Sequence, residues 1–173
     1  MNDIEAMIEI ALHGPRSAGR TALISPCDFD LVSTYKWRVY QASREGKKDD
    51  GPYAFAHTRR TDGSRTTIRM HNLILGVSGV DHVNGNGLDN RRVNLRPATR
   101  SQNGFNVSSR ANGTSKYKGG CWHKRKKGGQ ASIKIDGKLI YLGRFADEAQ
   151  AARAYDAAAR ELHGEFARFN FPD

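Results

Sequence analysis

Two Asn-Gly pairs, Asn84-Gly85 and Asn86-Gly87, stand between Asp81-His82 and Asn94-Leu95, and no other feature constrains the fold as much. Asn and Gly tolerate positive φ, so this run is a loop and not part of a helix or strand. A compact turn there brings a carboxylate (Asp81), an imidazole (His82) and a later carboxamide (Asn103) together. Residues 95–99 form the candidate second strand. Ser101 is the expected N-cap of a helix carrying Gln102, Asn103 and Asn106. Gly104 weakens that helix by about 1 kcal/mol relative to Ala, so it should be short.

Those three side chains suit one kind of chemistry. Hydrolysis of a phosphodiester needs an activated water, an electrophile on the phosphate and stabilisation of the leaving oxygen, and a hard cation supplies the last two. One divalent metal ion, Mg2+ or Mn2+, fits, because magnesium takes oxygen ligands and keeps several waters. Asp81 and the amide oxygen of Asn103 match that sparse shell. A neutral imidazole near its unperturbed pKa of about 6.5 is a good general base, which is the role open to His82. Neighbours on an extended strand point to opposite faces, so a turned backbone is expected at Asp81-His82.

Charge points to a polyanionic partner. Lys and Arg number 28 against 18 Asp and Glu, a net charge of +10. A pI near 9.9 is the electrostatic footprint of a nucleic-acid binder. The densest stretch runs from Lys116 to Lys138, with eight basic residues opposed only by Asp136. Mean hydropathy is −0.68, so the core is expected to be modest and loops extensive. Cys27 and Cys121 lie far apart, which excludes a zinc ribbon and argues against a disulfide scaffold. No apolar run approaches the ~20 residues that span a bilayer, and the acidic N-terminus lacks a signal-peptide core. An intracellular, cytoplasmic protein with no membrane partner is expected.

The chain reads as α+β in three blocks. Residues 1–79 look mostly β, with strands near 7–12, 21–25, 36–42, 53–58 and 66–70. Pro26-Cys27-Asp28 would cap a short helix running to Tyr35, and residues 72–75 would form a helical turn. The second block is 80–109. Residues 110–115 are small and polar and read as a linker. The third block, 116–173, holds strands near 118–123, 130–135 and 138–142, joined by Gly128-Gly129 and Asp136-Gly137. Asp147 then caps an Ala-rich helix through about Leu162, with Ala149, Ala152 and Ala159 against the sheet.

The order Met70-His71, Asp81-His82-Val83-Asn84-Gly85-Asn86-Gly87-Leu88-Asp89-Asn90-Arg91, Asn94-Leu95-Arg96, Gln102-Asn103 and Asn106 resembles the HNH endonuclease motif. The likeness is to its phage and intron-type branch, which includes homing endonucleases. The resemblance implies a ββα-metal fold over residues 80–109, within an endonuclease domain of residues 1–109. It implies that Asp81 and Asn103 ligate the metal, that His82 is the general base, and that Asn94 braces the loop and helps orient His82. His71 stands where such proteins often have His-Arg, but Asn72 follows. A phosphate contact and a structural hydrogen bond are equally open for His71. The remaining histidines, His13, His57, His123 and His163, form no spacing pattern and read as surface or packing residues.

Residues 116–172 resemble a second family, the Apetala/ethylene-response-factor DNA-binding domain. The residues that carry the likeness are Tyr117-Lys118-Gly119, Tyr141-Leu142-Gly143-Arg144-Phe145, the run from Glu148 to Ala158, and Asn170-Phe171-Pro172. It implies a three-stranded antiparallel sheet packed on one helix, with its outer face in the major groove of double-stranded DNA. Candidate contacts are Lys118, Trp122, Lys124, Arg125, Lys126, Lys134, Lys138 and Tyr141. Core packing is an equal alternative for Trp122. Cys121, Ser132 and Leu139 stand where plant domains often have Arg or Glu, so the plant recognition sequence does not carry over.

Together these readings predict a divalent-metal-dependent DNA endonuclease, sequence-targeted and of homing or phage type, acting as a monomer that nicks or a homodimer that breaks both strands. The alternative is a non-catalytic DNA-binding transcriptional regulator. RNA cleavage is weaker, because the sheet resembles a duplex reader rather than a stacking surface.

Overall fold

Turn residues keep the first strands short. In the computed structural model, which describes residues 6–40, 52–109, 113–123 and 128–172, β1 (Ile8–Ala11) and β2 (Thr21–Ile24) pair antiparallel, Ile8 opposite Ile24. Between them Gly14 and Gly19 take positive φ. Alternation along β2 turns Ala22 and Ile24 inward, where both are fully buried. A 3-10 turn over Pro26–Asp28 leads into α1 (Phe29–Ser33). The helix thus stops short of Tyr35. Asp28 does sit at its N-cap, but the side chain makes no capping bond. Its carboxylate goes instead to Arg92, whose Nε reaches Oδ1 and Oδ2 at 3.1 and 2.9 Å and whose Nη2 reaches Oδ1 at 2.6 Å. A guanidinium offers a buried carboxylate more than a backbone N–H does.

β3 (Arg38–Tyr40), β4 (Tyr53–Arg59) and β5 (Arg65–Arg69) form an antiparallel sheet in that order. The chain continues through α2 (Met70–Leu75), β6 (Val80–His82), β7 (Asp89–Asn90) and β8 (Leu95–Pro97). β7 joins β2 in parallel, and β6 pairs antiparallel with β8. The core gathers Ile24, Val32, Trp37, Ala54, Ala56, Met70, Ile74, Val80 and Leu95. Trp37 is 1% exposed and its indole donates to the Val32 carbonyl at 2.8 Å, so its polar end is satisfied while the ring anchors the core. Burial of each large side chain contributes about 1.5–3 kcal/mol before conformational entropy is counted.

The contacts divide the chain into two compact units, Met1–Thr99 and Arg100–Asp173. The second contains α3 (Arg100–Phe105), β9 (Gly120–His123), β10 (Gly128–Ile135), β11 (Lys138–Phe145) and α4 (Glu148–His163). Ser101 lies inside α3 and not at its cap, because the helix begins one residue earlier. β10 is the central strand of an antiparallel sheet. Asp136 and Gly137 both take positive φ at the β10–β11 hairpin, as a two-residue primed turn requires.

Gly128-Gly129, expected as a turn, instead opens β10, with Gly129 opposite Trp122. A Cβ on Gly129 would lie 2.5 Å from the Trp122 ring, so this glycine makes room for an aromatic neighbour. The Asp147 carboxylate accepts from the Gln150 amide and caps α4. Ala151, Ala152 and Ala159 are buried, whereas Ala149 in the first turn is only half-buried. Tyr155 packs with Ile133 and Ala159. Gly119, at φ 78°, lies where a Cβ would come within 1.9 Å of the Tyr155 ring.

No helix among the described residues is long and apolar enough to cross a membrane. The fold class is α+β, built from small sheets and few helices.

Candidate active site and nucleic-acid interface

The loop between β6 and β7 is built from its own side chains. Asn84 Oδ1 accepts from the Asn86 amide and Asn86 Oδ1 from the Leu88 amide, each two residues on. Gly85 takes positive φ, as expected of an Asn-Gly turn. Gly87 serves otherwise: a Cβ there would fall 2.6 Å from the Tyr53 ring and from the Pro52 carbonyl oxygen. Asn94 closes the loop, donating from Nδ2 to the Asp89 carbonyl at 2.7 Å and accepting at Oδ1 from the Asn84 amide at 2.9 Å. Asp89 is clamped by Arg91 Nε and Nη2, both at 2.8 Å, and this guanidinium holds its carboxyl below the usual range. The Arg92 amide donates to Ser25 Oγ at 3.0 Å, which ties the far side of the loop to the end of β2.

His82 ends β6 and is 5% exposed. Its Nε2 lies 3.4 Å from Asn90 Oδ1, a contact that an Nε2–H tautomer, with the lone pair on Nδ1, turns into a hydrogen bond. Asn90 thus bonds His82 directly, while Asn94 bonds the loop. The His71 ring meets His82 edge to face, centroids 4.9 Å apart, and Tyr53 flanks the two at 5.5 and 5.7 Å. Burial pushes the His82 pKa below its ordinary value, while the Asn90 bond and the Asp81 and Asp89 carboxylates push it back up. His71 is pushed down to about 3, by burial first and then by His82 and Arg69. Both rings are neutral near pH 7. His71 Nδ1 is buried with no hydrogen-bond partner among the described residues.

Asp81 is 3% exposed. β6 stays extended through Asp81 and His82, and the turn begins only at the Gly85 amide bonded to the His82 carbonyl. The two side chains accordingly have different neighbours. The β6–β8 register sets Asp81 opposite Arg96, and Arg96 Nε and Nη2 both reach Asp81 Oδ2, at 3.0 and 2.7 Å. Asp81, His82 and Asn94 all lie in the first unit, each bonded to a different partner. Asn103 is exposed on α3, in the second.

The donor chemistry fits a hard divalent ion. Asp81 offers a buried carboxylate, the oxygen donor such an ion takes. Asn90, Arg96 and Tyr53 escaped the sequence reading. For Arg96 the signal was available: antiparallel pairing of strands at 80–82 and 95–97 sets it opposite Asp81.

In the second unit, alternation and register sort the candidate contacts. Lys134 pairs with Leu139 and Ser132 with Tyr141, so these four share the face opposite buried Ile133. Leu139 and Tyr141 are 70% and 58% exposed there. Lys138 pairs with Ile135, two residues along β10 from Ile133, and so lies on the other face. Trp122 is half-buried against Gly129, and its amide donates to Thr114 Oγ1. Lys118 Nζ donates to the Phe105 carbonyl. Lys124, Arg125 and Lys126 lie outside the described residues. His163 is a packing residue, stacked on Phe105 at 3.7 Å with Nε2 bonded to the Lys134 carbonyl.

Comparison with known proteins places the chain that carries this loop-braced Asp-His pair. No protein-family model matches the chain. A protein named uncharacterized HNH endonuclease, from Acanthamoeba polyphaga mimivirus, is 32% identical over 170 residues, spanning 96% of this chain and 83% of that one. Protein 3.8 of Escherichia phage T7 is 33% identical over 90 residues, 52% of this chain and 74% of that one. The dehydration-responsive element-binding protein 2E of Arabidopsis thaliana is 53% identical over 36 residues, 21% of this chain and 15% of that one. The chain belongs to the HNH endonuclease family.

Proposed function

We propose that the protein is a divalent-metal-dependent endonuclease that hydrolyses phosphodiester bonds in double-stranded DNA. The observation that carries this reading is His82, a buried imidazole neutral near pH 7, fixed through Nε2 by Asn90 on the loop that Asn94 closes. With the lone pair on Nδ1, His82 takes a proton from the attacking water. Asp81 and Asn103 are assigned as the metal's oxygen ligands, from their donor chemistry and the motif resemblance. A bound Mg2+ or Mn2+ would polarise the phosphate and stabilise the leaving oxygen. Asn94 and Asn90 are positioning residues. Tyr53 and His71 wall the imidazole and restrict its rotation.

The second unit supplies the DNA grip in this reading. Lys134 and Tyr141 stand on the open face of a sheet thin enough to enter a major groove about 12 Å wide. Lys118, Trp122 and the Lys124-Arg125-Lys126 run add contacts, and the net charge of +10 gives a long-range attraction. One catalytic centre per chain makes a monomer a nicking enzyme and a homodimer a double-strand breaker. Homing or phage-type targeting is the natural setting.

The test is conversion of supercoiled DNA carrying a site found by binding selection, in Mg2+ or Mn2+. The reading requires nicking that EDTA abolishes. Tight, selective binding without cutting in either metal would replace it with a DNA-binding regulator.

A further inference from the structure

Asp81 and Arg96 are directly opposed across β6 and β8, and both Arg96 donors converge on one carboxylate oxygen. The Asp81 side chain is 4% exposed and that of Arg96 15%, so each charge is largely removed from water. A pair buried this deeply persists because each member neutralises the other. The same carboxylate is the proposed metal ligand. Adding a divalent ion to a pair that is already neutral leaves excess positive charge in a poorly solvated place, with the cation and the guanidinium repelling each other.

We propose that Arg96 is the metal-free counter-ion of Asp81 and that it couples metal binding to DNA binding. The inference rests on the reading of Asp81 as a metal ligand. A guanidinium presents its donors to phosphate as it does to carboxylate. A phosphodiester at the site gives Arg96 a further acceptor and brings the negative charge the metal-loaded site lacks. Arg96 therefore suppresses metal binding in the free protein and releases it when a phosphate arrives. By linkage, DNA tightens the metal as much as the metal tightens DNA. This arrangement would keep the hydrolytic centre unloaded until substrate is present.

The experiment measures Mn2+ affinity of the full chain by calorimetry, or by the electron paramagnetic resonance signal of free Mn2+. Without DNA, Arg96→Gln should bind Mn2+ about tenfold or more tighter than wild type, consistent with typical coupling energies. Arg96→Lys keeps the charge and should remain close to wild type. Asp81→Asn should abolish the binding in every background. In a His82→Ala background, which blocks turnover, duplex DNA should tighten Mn2+ by more than that factor, and Arg96→Gln should reduce the tightening to what the phosphate supplies by itself.

Circular dichroism and melting curves identify variants that fold, and Arg96→Lys keeps the comparison interpretable if Arg96→Gln does not fold. Asp81-dependent Mn2+ binding that is unchanged or weaker in Arg96→Gln would overturn the coupling and leave the metal reading intact. If Arg96→Gln does not fold, the coupling is overturned in the same way when DNA fails to tighten Mn2+ in the Arg96→Lys and His82→Ala proteins. Absence of Asp81-dependent binding in every arm, with or without DNA, would overturn the metal reading itself.

Discussion

The imidazoles of His71 and His82 meet edge to face, centroids 4.9 Å apart and planes at 88°. Neither can readily take up a proton in that position. The His71 pKa is pushed to about 3 from an ordinary 6.5, so the folded protein binds fewer protons than the unfolded chain between those values. Stability from this group is complete above pH 6.5 and is lost as pH falls toward 3. By about pH 5 the loss is about 2 kcal/mol. Replacing His71 with Phe keeps a ring beside His82 and removes the titration. Melting temperatures of His71→Phe should fall less than those of wild type between about pH 7.5 and pH 5. Parallel curves for the two proteins would show that His71 is not the group responsible.

His82 titrates below its ordinary 6.5 because burial outweighs the Asn90 bond and the two carboxylates. A general base works when deprotonated, so kcat/KM should rise with pH, reach half its plateau below pH 6.5, and stay flat above. The profile of initial nicking rates in Mg2+ checks this. A half-rise clearly above pH 6.5 would mean that another group sets the limb.

Arg92, between β7 and β8, is tied to the start of α1 through Asp28, which is 2% exposed while Arg92 is 49% exposed. Arg92→Ala leaves a buried carboxylate without its guanidinium and should cost about 1–3 kcal/mol in urea denaturation. Adding Asp28→Ala to that variant should recover part of the loss, because the stranded charge is gone. A double variant as unstable as the sum of the singles would show that the pair does not act as a unit.

Sheet register separates two lysines that the sequence grouped together. Lys134 shares the open face with Tyr141, and Lys138, opposite Ile135, lies on the other. Lys134→Ala should lower the slope of log affinity against log salt by about 0.9, the value of one phosphate contact, while Lys138→Ala leaves it unchanged. Equal reductions from both would place DNA elsewhere than on that face.

Local chemistry was legible in the sequence and long-range contact was not. The Asp136-Gly137 hairpin, the Asp147 cap and the Asn-Gly loop are set by residues within a few positions of one another. Gly128-Gly129 misled because the reason for a glycine there is the ring of Trp122 on the next strand. Asp28 looked like a helix cap because its partner, Arg92, is 64 residues away. At the site, Asp81 and His82 stood out by their chemistry, and the motif resemblance added Asn94. Asn90 did not stand out, because its contact with His82 depends on how the loop folds back. Asn103 was read from the motif, and α3, which carries it, falls in the second unit.

The most direct test compares wild type with His82→Ala on supercoiled DNA in Mg2+, measuring nicking and DNA affinity on the same preparations. The account predicts that the variant binds DNA as wild type does and loses turnover, with wild-type nicking abolished by EDTA. Nicking that persists in His82→Ala at the wild-type rate would contradict the assignment of His82 as the base, and with it the proposed site.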